Sequence, residues 1–356
     1  MFRELPSVDR IMSVRRMETK DMVTRLGFLA PKNIRIANYS IEKPITVFNA
    51  GAYVDKDSLI LYVRTVTGYY KYVSAIARVE IPLADIESKK FVNQVYDAEI
   101  VVYPSNKYDF WGAEDPRITL LNDRISMVYA GRTIKYFDTL MQLVSPEARY
   151  GKVLPIAALS RDGREWKKVA VFINDSKVRK YIVADKDAFL IQTSDSKLWL
   201  FHRPDTINNE YFITISNVEK LDEESLKEIE LKNTYIALKI APFEWKAGWS
   251  TPPLNMDKDR YVAILHGVDR EMRIYRAFAA LLKYEKNMFT IDSVTPYYIM
   301  EPKTIEEKYG DRPFVVFPTG LVQIDDKLLI IYGASDTFVG IGYVYKEELL
   351  EILERS

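Results

Sequence analysis

The chain of 356 residues lacks cysteine altogether and contains only two histidines, His202 and His266. The absence of cysteine excludes disulfide frameworks, thiolate nucleophiles and cysteine-bound zinc. No His-x-x-x-His pair and no glycine-containing Asp-x-Asp cluster occurs, so no metal and no other cofactor is expected. Gly112 and Gly131 stand alone, which excludes a glycine-rich phosphate loop, and the Gly-x-Ser-x-Gly elbow of serine hydrolases is also missing.

An excess of charge of one sign is lacking too, because 50 basic residues balance 50 acidic ones. Without a basic arm or patch, no nucleic-acid partner is expected. There is no run of about 18 apolar residues, so no membrane span is expected. Residues 1–6 lack the apolar core of a signal peptide, and we expect a cytoplasmic protein. Abundant Lys and Glu without cysteine favour a thermophilic source.

What the sequence has in abundance is short strands, each an apolar run of β-branched and aromatic residues that follows a polar turn. The five clearest runs are residues 58–64, 125–130, 197–201, 261–265 and 327–332. They recur about every 65–75 residues, which is the length of one propeller blade or slightly more. Five blades of four strands would use the whole length, so the sequence predicts an all-β fold, a five-bladed β-propeller.

The remaining segments fit a single domain over residues 1–356. Residues 1–40 show no clean period, and we expect an N-terminal extension that wraps or closes the propeller. Residues 222–229 have the acidic start of a short helix, and residues 346–356 have the amphipathic pattern of a short C-terminal helix.

A propeller gathers residues from equivalent blade positions around one axis. Five polar residues occupy such positions near strand ends, and we expect them to converge on one pocket. They are Arg64, Asp115, His202, His266 and Asp336.

Asp115 lies in the most informative run of the chain, Trp111-Gly-Ala-Glu-Asp-Pro-Arg117. Pro116 restricts Asp115 toward an extended backbone, and Arg117 can pair with one acid while it fixes the other. Two interpretations are open at this point: a catalytic acid, or a structural acid–arginine pair.

Each histidine ends an apolar strand-like run and begins a turn. A buried, hydrogen-bonded histidine at a strand end is as consistent with this pattern as a functional residue is. His202 has the better functional argument because Arg203 follows it directly.

Acids, cations and aromatic residues remain as the chemistry-bearing side chains. They suit a sugar, since pyranose rings stack on Trp and Tyr, and a carboxyl group can protonate a glycosidic oxygen. Ordinary sheet packing accounts equally for much of the 13% aromatic content.

An ordered set of motifs resembles the mannoside phosphorylase family, glycoside hydrolase family 130. The set begins with residues 48–52 and 61–64, and continues with the signature at 112–119. It then includes 185–188 with 201–204, 248–254 with 265–268, and 314–320 with 332–337. This resemblance also implies a five-bladed propeller.

The resemblance implies an inverting β-mannoside phosphorylase, which uses inorganic phosphate to cleave β-linked manno-oligosaccharides and releases α-mannose 1-phosphate reversibly. It implies Asp115 as the proton donor, and we expect burial and Glu114 to raise the pKa of Asp115, offset by Arg117. Lys186, His202 and Arg203 fall on positions associated with phosphate, and Arg132 is a further candidate. The residues assigned to the mannoside are Asn49, Arg64, Arg117, His266 and Asp336.

Two other functions remain open. A β-mannosidase of the same family would need a base to activate water, and Glu301, Glu306 and Glu307 are the candidates. A glycan-binding propeller without catalysis is the third hypothesis. The stretch 137–153 is longer than is usual in the family, so the sequence does not identify the acceptor sugar or the linkage. The sequence also leaves open whether the protein is a homo-oligomer.

Overall fold

The computed structural model describes residues 2–5, 8–137 and 150–356. The fold is all-β, with a few short helices. Most of the long stretch singled out at residues 137–153 lies outside the described residues. No helix in the described part of the chain is long and apolar enough to cross a membrane.

The strands are numbered in chain order. They are β1 (Arg3–Glu4), β2 (Thr24–Leu29), β3 (Ile34–Ile36), β4 (Thr46–Asp55), β5 (Ser58–Val66), β6 (Ser74–Pro82), β7 (Tyr96–Val102), β8 (Ala113–Leu121), β9 (Arg124–Arg132), β10 (Val153–Ser160), β11 (Lys167–Ile173), β12 (Ile182–Gln192), β13 (Leu198–Thr206), β14 (Ile213–Val218), β15 (Lys227–Glu230), β16 (Lys232–Leu238), β17 (Glu244–Trp249), β18 (Leu254–Asp257), β19 (Arg260–Asp269), β20 (Tyr275–Glu285), β21 (Met288–Val294), β22 (Val316–Ile324), β23 (Lys327–Ala334) and β24 (Phe338–Tyr345). The helices are α1 (Val8–Met12), α2 (Leu83–Glu87), α3 (Ser176–Arg179), α4 (Ile305–Lys308) and α5 (Lys346–Arg355).

These strands pair into groups of mostly consecutive strands, which assemble into four sheets. The pairing within the groups is antiparallel, except that β3 pairs parallel with β7. One sheet holds β3 to β7, a second holds β17 to β21, and a third holds β22 to β24 together with β2. The fourth and largest sheet contains two groups, β8 to β11 and β12 to β14 with β16. A single parallel contact between Val153 of β10 and Ala184 of β12 joins these two groups.

The first strands of successive groups lie against one another. In the second sheet β17 and β18 pair with successive parts of β19 and together take the place of one first strand. β4 lies against β8, β8 against β12, β12 against β17, β18 against β22, and β22 against β4. This series closes on itself. Each of the five apolar runs found in the sequence falls in the strand that pairs with such a first strand: β5, β9, β13, β19 and β23.

The N-terminal segment connects distant parts of the chain. β2 pairs antiparallel with β24, and β1 pairs parallel with β16. Between them, the buried Arg15 donates to the carboxylate of Glu244 at 2.7 Å and lies over the ring of Phe278. A buried pair of this kind is costly to break from one side, so it fixes this segment on the second sheet.

The C-terminal helix predicted at residues 346–356 is present as α5, and it buries Leu349 and Leu353 against strands of the second and third sheets. The short helix predicted at residues 222–229 is wrong. There the chain makes a turn and then forms β15, which pairs parallel with β11. The open edge of β11 supplies hydrogen bonds that outweigh the weak local helix preference.

Candidate functional site

Four acidic or amide side chains of the site share one backbone feature, a positive φ. The angles are 47° at Asn49, 50° at Asp115, 53° at Asp187 and 50° at Asp336. Asn and Asp are the residues that adopt this left-handed conformation most readily after glycine. The extended backbone expected at Asp115 from the following Pro116 is therefore wrong, because the bulge imposes a positive φ there.

The first three of these residues lie where the strand register shifts. The shifts fall between Phe48 and Gly51, between Glu114 and Arg117, and between Lys186 and Phe189. Such bulges turn a side chain out of the regular alternation of the strand, and they are frequent beside active sites. The local sequence therefore aims polar groups at the place where the first strands meet.

Asp115 lies at the centre of a compact polar cluster. Its Oδ1 accepts hydrogen bonds from Nδ2 of Asn49 at 2.8 Å and from Nη1 of Arg64 at 3.0 Å. The other terminal nitrogen of Arg64 pairs with Glu114. Arg64 lies over the ring of Phe48, with 4.6 Å between the guanidinium carbon and the ring centroid. The sequence grouping of Asn49, Arg64 and Asp115 is thus present in space.

The expected protonation of Asp115 is wrong for the unliganded protein. Burial alone would raise the pKa of Asp115, but the cations Arg64 and Arg117 more than offset it, and the pKa is lowered. Glu114 does not act as expected because Arg64 lies between it and Asp115 and neutralises its charge. In the free protein Asp115 is therefore a carboxylate near neutral pH.

Asp336 is the carboxyl group that keeps its proton to a higher pH than an ordinary aspartate does. Burial, which is only partly offset by Arg64, raises the pKa of Asp336 to about 6, and the charge of Asp115 adds to the effect. Asp115 and Asp336 thus share the field of one arginine while their pKa values are moved in opposite directions. Carboxyl pairs of this kind are typical of acid–base sites.

Arg117 links the Asp115 cluster to a second group of charges. Its Nη1 donates to the backbone carbonyl of Asp115 at 2.6 Å, and its Nε donates to that of Ser250 at 2.9 Å. Nη2 lies 3.5 Å from Oδ1 of Asp187. The side chain is 1% exposed, so these contacts take place away from bulk water.

The second group is rich in cations. Arg203 is a buried member of this group, and it pairs with both Asp187 and Asp205. Lys186, on β12, approaches closely enough to affect the pKa values of these two carboxylates. Among the described residues Lys186 forms no ion pair within 4.0 Å, so its ammonium group is available to an incoming anion.

Lys246 is a cation of this group that the sequence reasoning missed. Its Nζ lies 4.9 Å from the ring centroid of Tyr275 and 5.1 Å from that of Trp245. Burial, with Arg203 and Lys186 nearby, lowers the pKa of Lys246 well below its ordinary value. The only signal in the sequence was a lysine inside an otherwise apolar strand, Trp245-Lys-Ala-Gly-Trp249.

His266 belongs to the same region. Its Nδ1 lies 3.0 Å from Oγ of Ser250, and its ring stacks on Tyr275. Nε2 lies 3.9 Å from Oδ2 of Asp187. Burial lowers the pKa of His266 well below its ordinary value, so the ring is neutral and acts as a hydrogen-bonding and packing group.

His202 does not join this cluster. It is fully buried on the other face of β13, where Nδ1 bonds Asp185 at 2.8 Å and Nε2 bonds Ser216 at 2.8 Å. Arg203 points to the site because successive side chains of a strand alternate between its faces. The adjacent His202 therefore points away, and both of its ring nitrogens are occupied.

Arg132 lies at the edge of the Asp115 cluster and apart from the cations around Arg203. Its Nε is 2.6 Å from Oε1 of Glu114, and its guanidinium group lies over the ring of Tyr136. In the unliganded protein Glu114 therefore contacts two arginines, Arg64 and Arg132.

The three glutamates considered as bases lie near α4. Glu307 is buried, and its two oxygens are occupied by Arg25, Tyr332 and the backbone at the start of α4. Glu301 accepts from Thr19 and Arg276. Across the described ranges, no cluster of three or more potential metal ligands is found.

The arrangement thus combines a carboxyl pair around one arginine with a neighbouring set of cations. The first part can hold sugar hydroxyls and transfer a proton. The second can bind a multiply charged oxyanion, for which Arg and Lys are the preferred partners.

Comparisons with known proteins agree with this combination. The sequence profile of glycoside hydrolase family 130, described as beta-1,4-mannooligosaccharide phosphorylase, matches residues 13–355. A beta-1,2-mannobiose phosphorylase of a Thermoanaerobacter species is 27% identical over 88% of this chain and 98% of its own. A 1,2-beta-oligomannan phosphorylase from the same source is 26% identical over 85% of this chain and 91% of its own.

The fold is also that of a solved structure. The beta-1,2-mannobiose phosphorylase of Listeria innocua, solved with beta-1,2-mannobiose, superposes with a TM-score of 0.69. The match covers 94% of this chain and 99% of that chain at 17% identity, so it concerns the fold alone.

The raised pKa of Asp336 predicts a pH-dependent stability. Asp336 binds its proton more tightly when folded, so its contribution to stability is present below about pH 4 and is lost as the pH rises through about 6. Asp336→Asn, which mimics the neutral form, should gain about 2 kcal/mol over the wild type between pH 4 and pH 7. Denaturant unfolding at several pH values measures this difference.

The exposed turn residue Asp326 provides the control, since Asp326→Asn should leave the pH dependence of the unfolding free energy unchanged. A difference between Asp336→Asn and wild type that is constant across this pH range contradicts the assignment.

Proposed function

Because the chain belongs to glycoside hydrolase family 130, we propose that it is an inverting β-mannoside phosphorylase. It cleaves β-linked manno-oligosaccharides with inorganic phosphate and releases α-mannose 1-phosphate, and the reaction is reversible. The observation that carries this proposal is the set of cations beside the Asp115 cluster.

The cations distinguish phosphate from water as the nucleophile. Water needs a carboxylate base near the anomeric carbon, whereas phosphate is itself a nucleophile and needs positive charge to hold it. Lys186, Arg203 and Lys246 supply that charge, and their ammonium and guanidinium groups influence one another electrostatically. Burial and the nearby cations together lower the pKa of Lys246, and an anion bound among these cations would offset both effects.

The roles follow from position. Asn49, Arg64 and Asp336 surround Asp115 and would hold the mannose ring whose bond is broken. Asp115 would deliver the proton to the leaving oxygen, directly or through a sugar hydroxyl. Lys186, Arg203 and Lys246 would present phosphate to the opposite face of the anomeric carbon, which gives inversion. Arg117 would keep the two halves in register.

A proton donor needs a higher pKa than Asp115 has here, and bound phosphate would supply that change. A bound dianion next to Arg117 would offset the positive potential that now stabilises the Asp115 carboxylate. The pKa of Asp115 then rises in the complex, and the proton is held only when the nucleophile is in place.

The hydrolase alternative has less support. Glu307 and Glu301 are engaged in hydrogen bonds near α4, so neither carboxylate is free to act as a base, and Glu306 is the one candidate of the three that these contacts leave. The non-catalytic alternative is disfavoured because the Asp115 cluster keeps buried charges that packing alone does not need.

The glycosidic linkage, the architecture and the cellular location are further parts of the proposal. The family profile is described by a β-1,4 linkage, whereas the two curated relatives are named for β-1,2 linkages. We propose β-mannosides as the substrate class and both linkages as the series to test. A five-bladed propeller, with one blade for each antiparallel group, and a cytoplasmic location complete the proposal. A homo-oligomer stays open.

The decisive measurement is the product formed with and without phosphate. Incubation with β-1,2- and β-1,4-mannobiose should yield mannose 1-phosphate only when phosphate is present, and the cleaved isomer gives the linkage. Release of free mannose at the same rate in both conditions would identify a hydrolase instead.

Asp115→Asn should lower kcat on an unactivated mannobiose by roughly 10²–10⁴-fold, because the amide cannot donate the proton. Substrate KM should change little, since Asn keeps the shape and still bonds Arg64 or Asn49. With mannosyl fluoride, whose leaving group needs no proton, the variant should recover part of its rate. Near-normal turnover on mannobiose would place the acid elsewhere.

Lys186→Ala should raise the KM for phosphate by about tenfold or more, because one charge-assisted contact is lost. The KM for the sugar should change much less. Lys180→Ala provides a matched control, since Lys180 is an exposed lysine just before the same strand. Equal effects on both KM values would show that Lys186 supports the site as a whole and does not contact phosphate.

A further inference from the structure

A group of aromatic rings lies at the surface beside the Asp115 cluster, and we call it the aromatic platform. It consists of Tyr70, Phe110, Trp111, Tyr136 and Phe137. The ring centroid of Trp111 lies 6.4 Å from that of Tyr70, 5.0 Å from that of Phe110 and 5.3 Å from that of Phe137. The platform is therefore wider than a single pyranose ring.

Much of this aromatic surface is open to solvent. Tyr70 is 74% exposed and Phe110 is 49% exposed. Single exposed apolar residues need no explanation, but contiguous exposed rings usually mark a binding surface. Core packing, the ordinary role of aromatic residues in strands, does not account for these side chains.

The platform is built by loops at the site end of the strands. Tyr70 lies in the loop after β5, six residues beyond Arg64, and Trp111 lies four residues before Asp115. Tyr136 and Phe137 follow β9, which ends at Arg132. Each loop thus leaves or enters a strand that carries a residue of the Asp115 cluster.

Arg132 connects the aromatic platform to the Asp115 cluster by direct contacts. Its Nε contacts Glu114, its guanidinium group lies over the ring of Tyr136, and Nη1 donates to the backbone carbonyl of Lys71 at 3.3 Å. Nζ of Lys71 in turn lies 4.4 Å from the ring centroid of Phe137. Hydrogen-bond donors therefore border the rings, which matches a ligand with both C–H faces and hydroxyl groups.

The position of the platform relative to the cations assigns it a side of the bond to be cleaved. In an inverting displacement the nucleophile and the leaving group lie on opposite sides of the anomeric carbon. The cations are on β12, β13 and β17, whereas the platform comes from loops next to β5, β8 and β9. The platform meets the Asp115 cluster through Arg132 and Glu114, whereas the cations meet it through Arg117 and Asp187. The platform is thus on the leaving-group side.

We propose that the aromatic platform binds the sugars beyond the cleaved bond and makes this protein prefer longer β-mannoside chains to the disaccharide. This inference rests on the proposed function for the identity of the sugar. Successive mannose units would stack on Trp111 and on Tyr70 or Phe137, while Lys71 and Arg132 bond their hydroxyl groups. In the synthetic direction the same surface would hold a growing acceptor chain.

Chain-length dependence tests the proposal. Wild-type kcat/KM and binding affinity should both be higher for a manno-oligosaccharide of five units than for one of two. In Tyr70→Ala and in Trp111→Ala, kcat/KM for the longer chain should fall roughly tenfold, the scale of one or two lost stacking contacts. The value for the disaccharide should fall less than twofold. Trp111→Phe, which keeps a ring, should restore part of the preference.

Tyr345→Ala is the matched control, because Tyr345 is an exposed tyrosine at the far end of β24. It should leave the length dependence unchanged. Tyr70→Ala guards against misfolding of the Trp111 variant, since the ring of Tyr70 is mostly in solvent.

Calorimetric binding separates this inference from the proposed function. Length-dependent affinity that is lost in the variants supports the platform even if the product is free mannose, which would overturn only the phosphorylase assignment. Equal wild-type affinity for two and five units overturns the platform, as does an equal loss for both lengths. A variant that dissociates a wild-type oligomer while it keeps the length dependence also overturns it, and identifies an interface between copies.

Discussion

The structure depends most on the buried guanidinium group of Arg117. It joins the backbone of Asp115 on β8, the carboxylate of Asp187 on β12 and the carbonyl of Ser250 after β17. These atoms belong to three different strand groups, so a single side chain sets the spacing between the carboxyl cluster and the cations. A planar group with several fixed donors can make these contacts at once, which a lysine cannot do.

The two halves of the site gather charges of opposite sign. Around Asp115, carboxylates are kept together by Arg64 and Arg132. Around Arg203, cations are kept together by Asp187 and Asp205. A sugar hydroxyl network suits the first half, whose carboxylates are held by arginines. A dianion suits the second half, where Arg203, Lys186 and Lys246 lie close together.

The sequence predicted the strand-rich fold from local patterns. The family resemblance assigned Asn49 and Arg64 to the sugar and Asp115 to the proton transfer, and the structure brings these three residues into contact. The sequence failed where the answer depends on contacts between distant residues. The pKa of Asp115 is lowered by Arg64, which lies 51 positions away in the chain. His202 was assigned together with Arg203 although neighbouring side chains on a strand face opposite ways. Lys246 stayed unseen because only the folded chain brings it beside Arg203.

The pairing of β2 with β24 has a consequence for synthesis on the ribosome. Residues 24–29 emerge early, but their partner, residues 338–345, is made more than 300 positions later. Until then the early strand has an unpaired edge, and the ring of strand groups cannot close. Contacts of such long sequence separation fold slowly and expose the incomplete sheet to wrong pairings. The nascent chain therefore reaches its closed form only after translation is nearly complete, and any chaperone assistance is needed most during that interval.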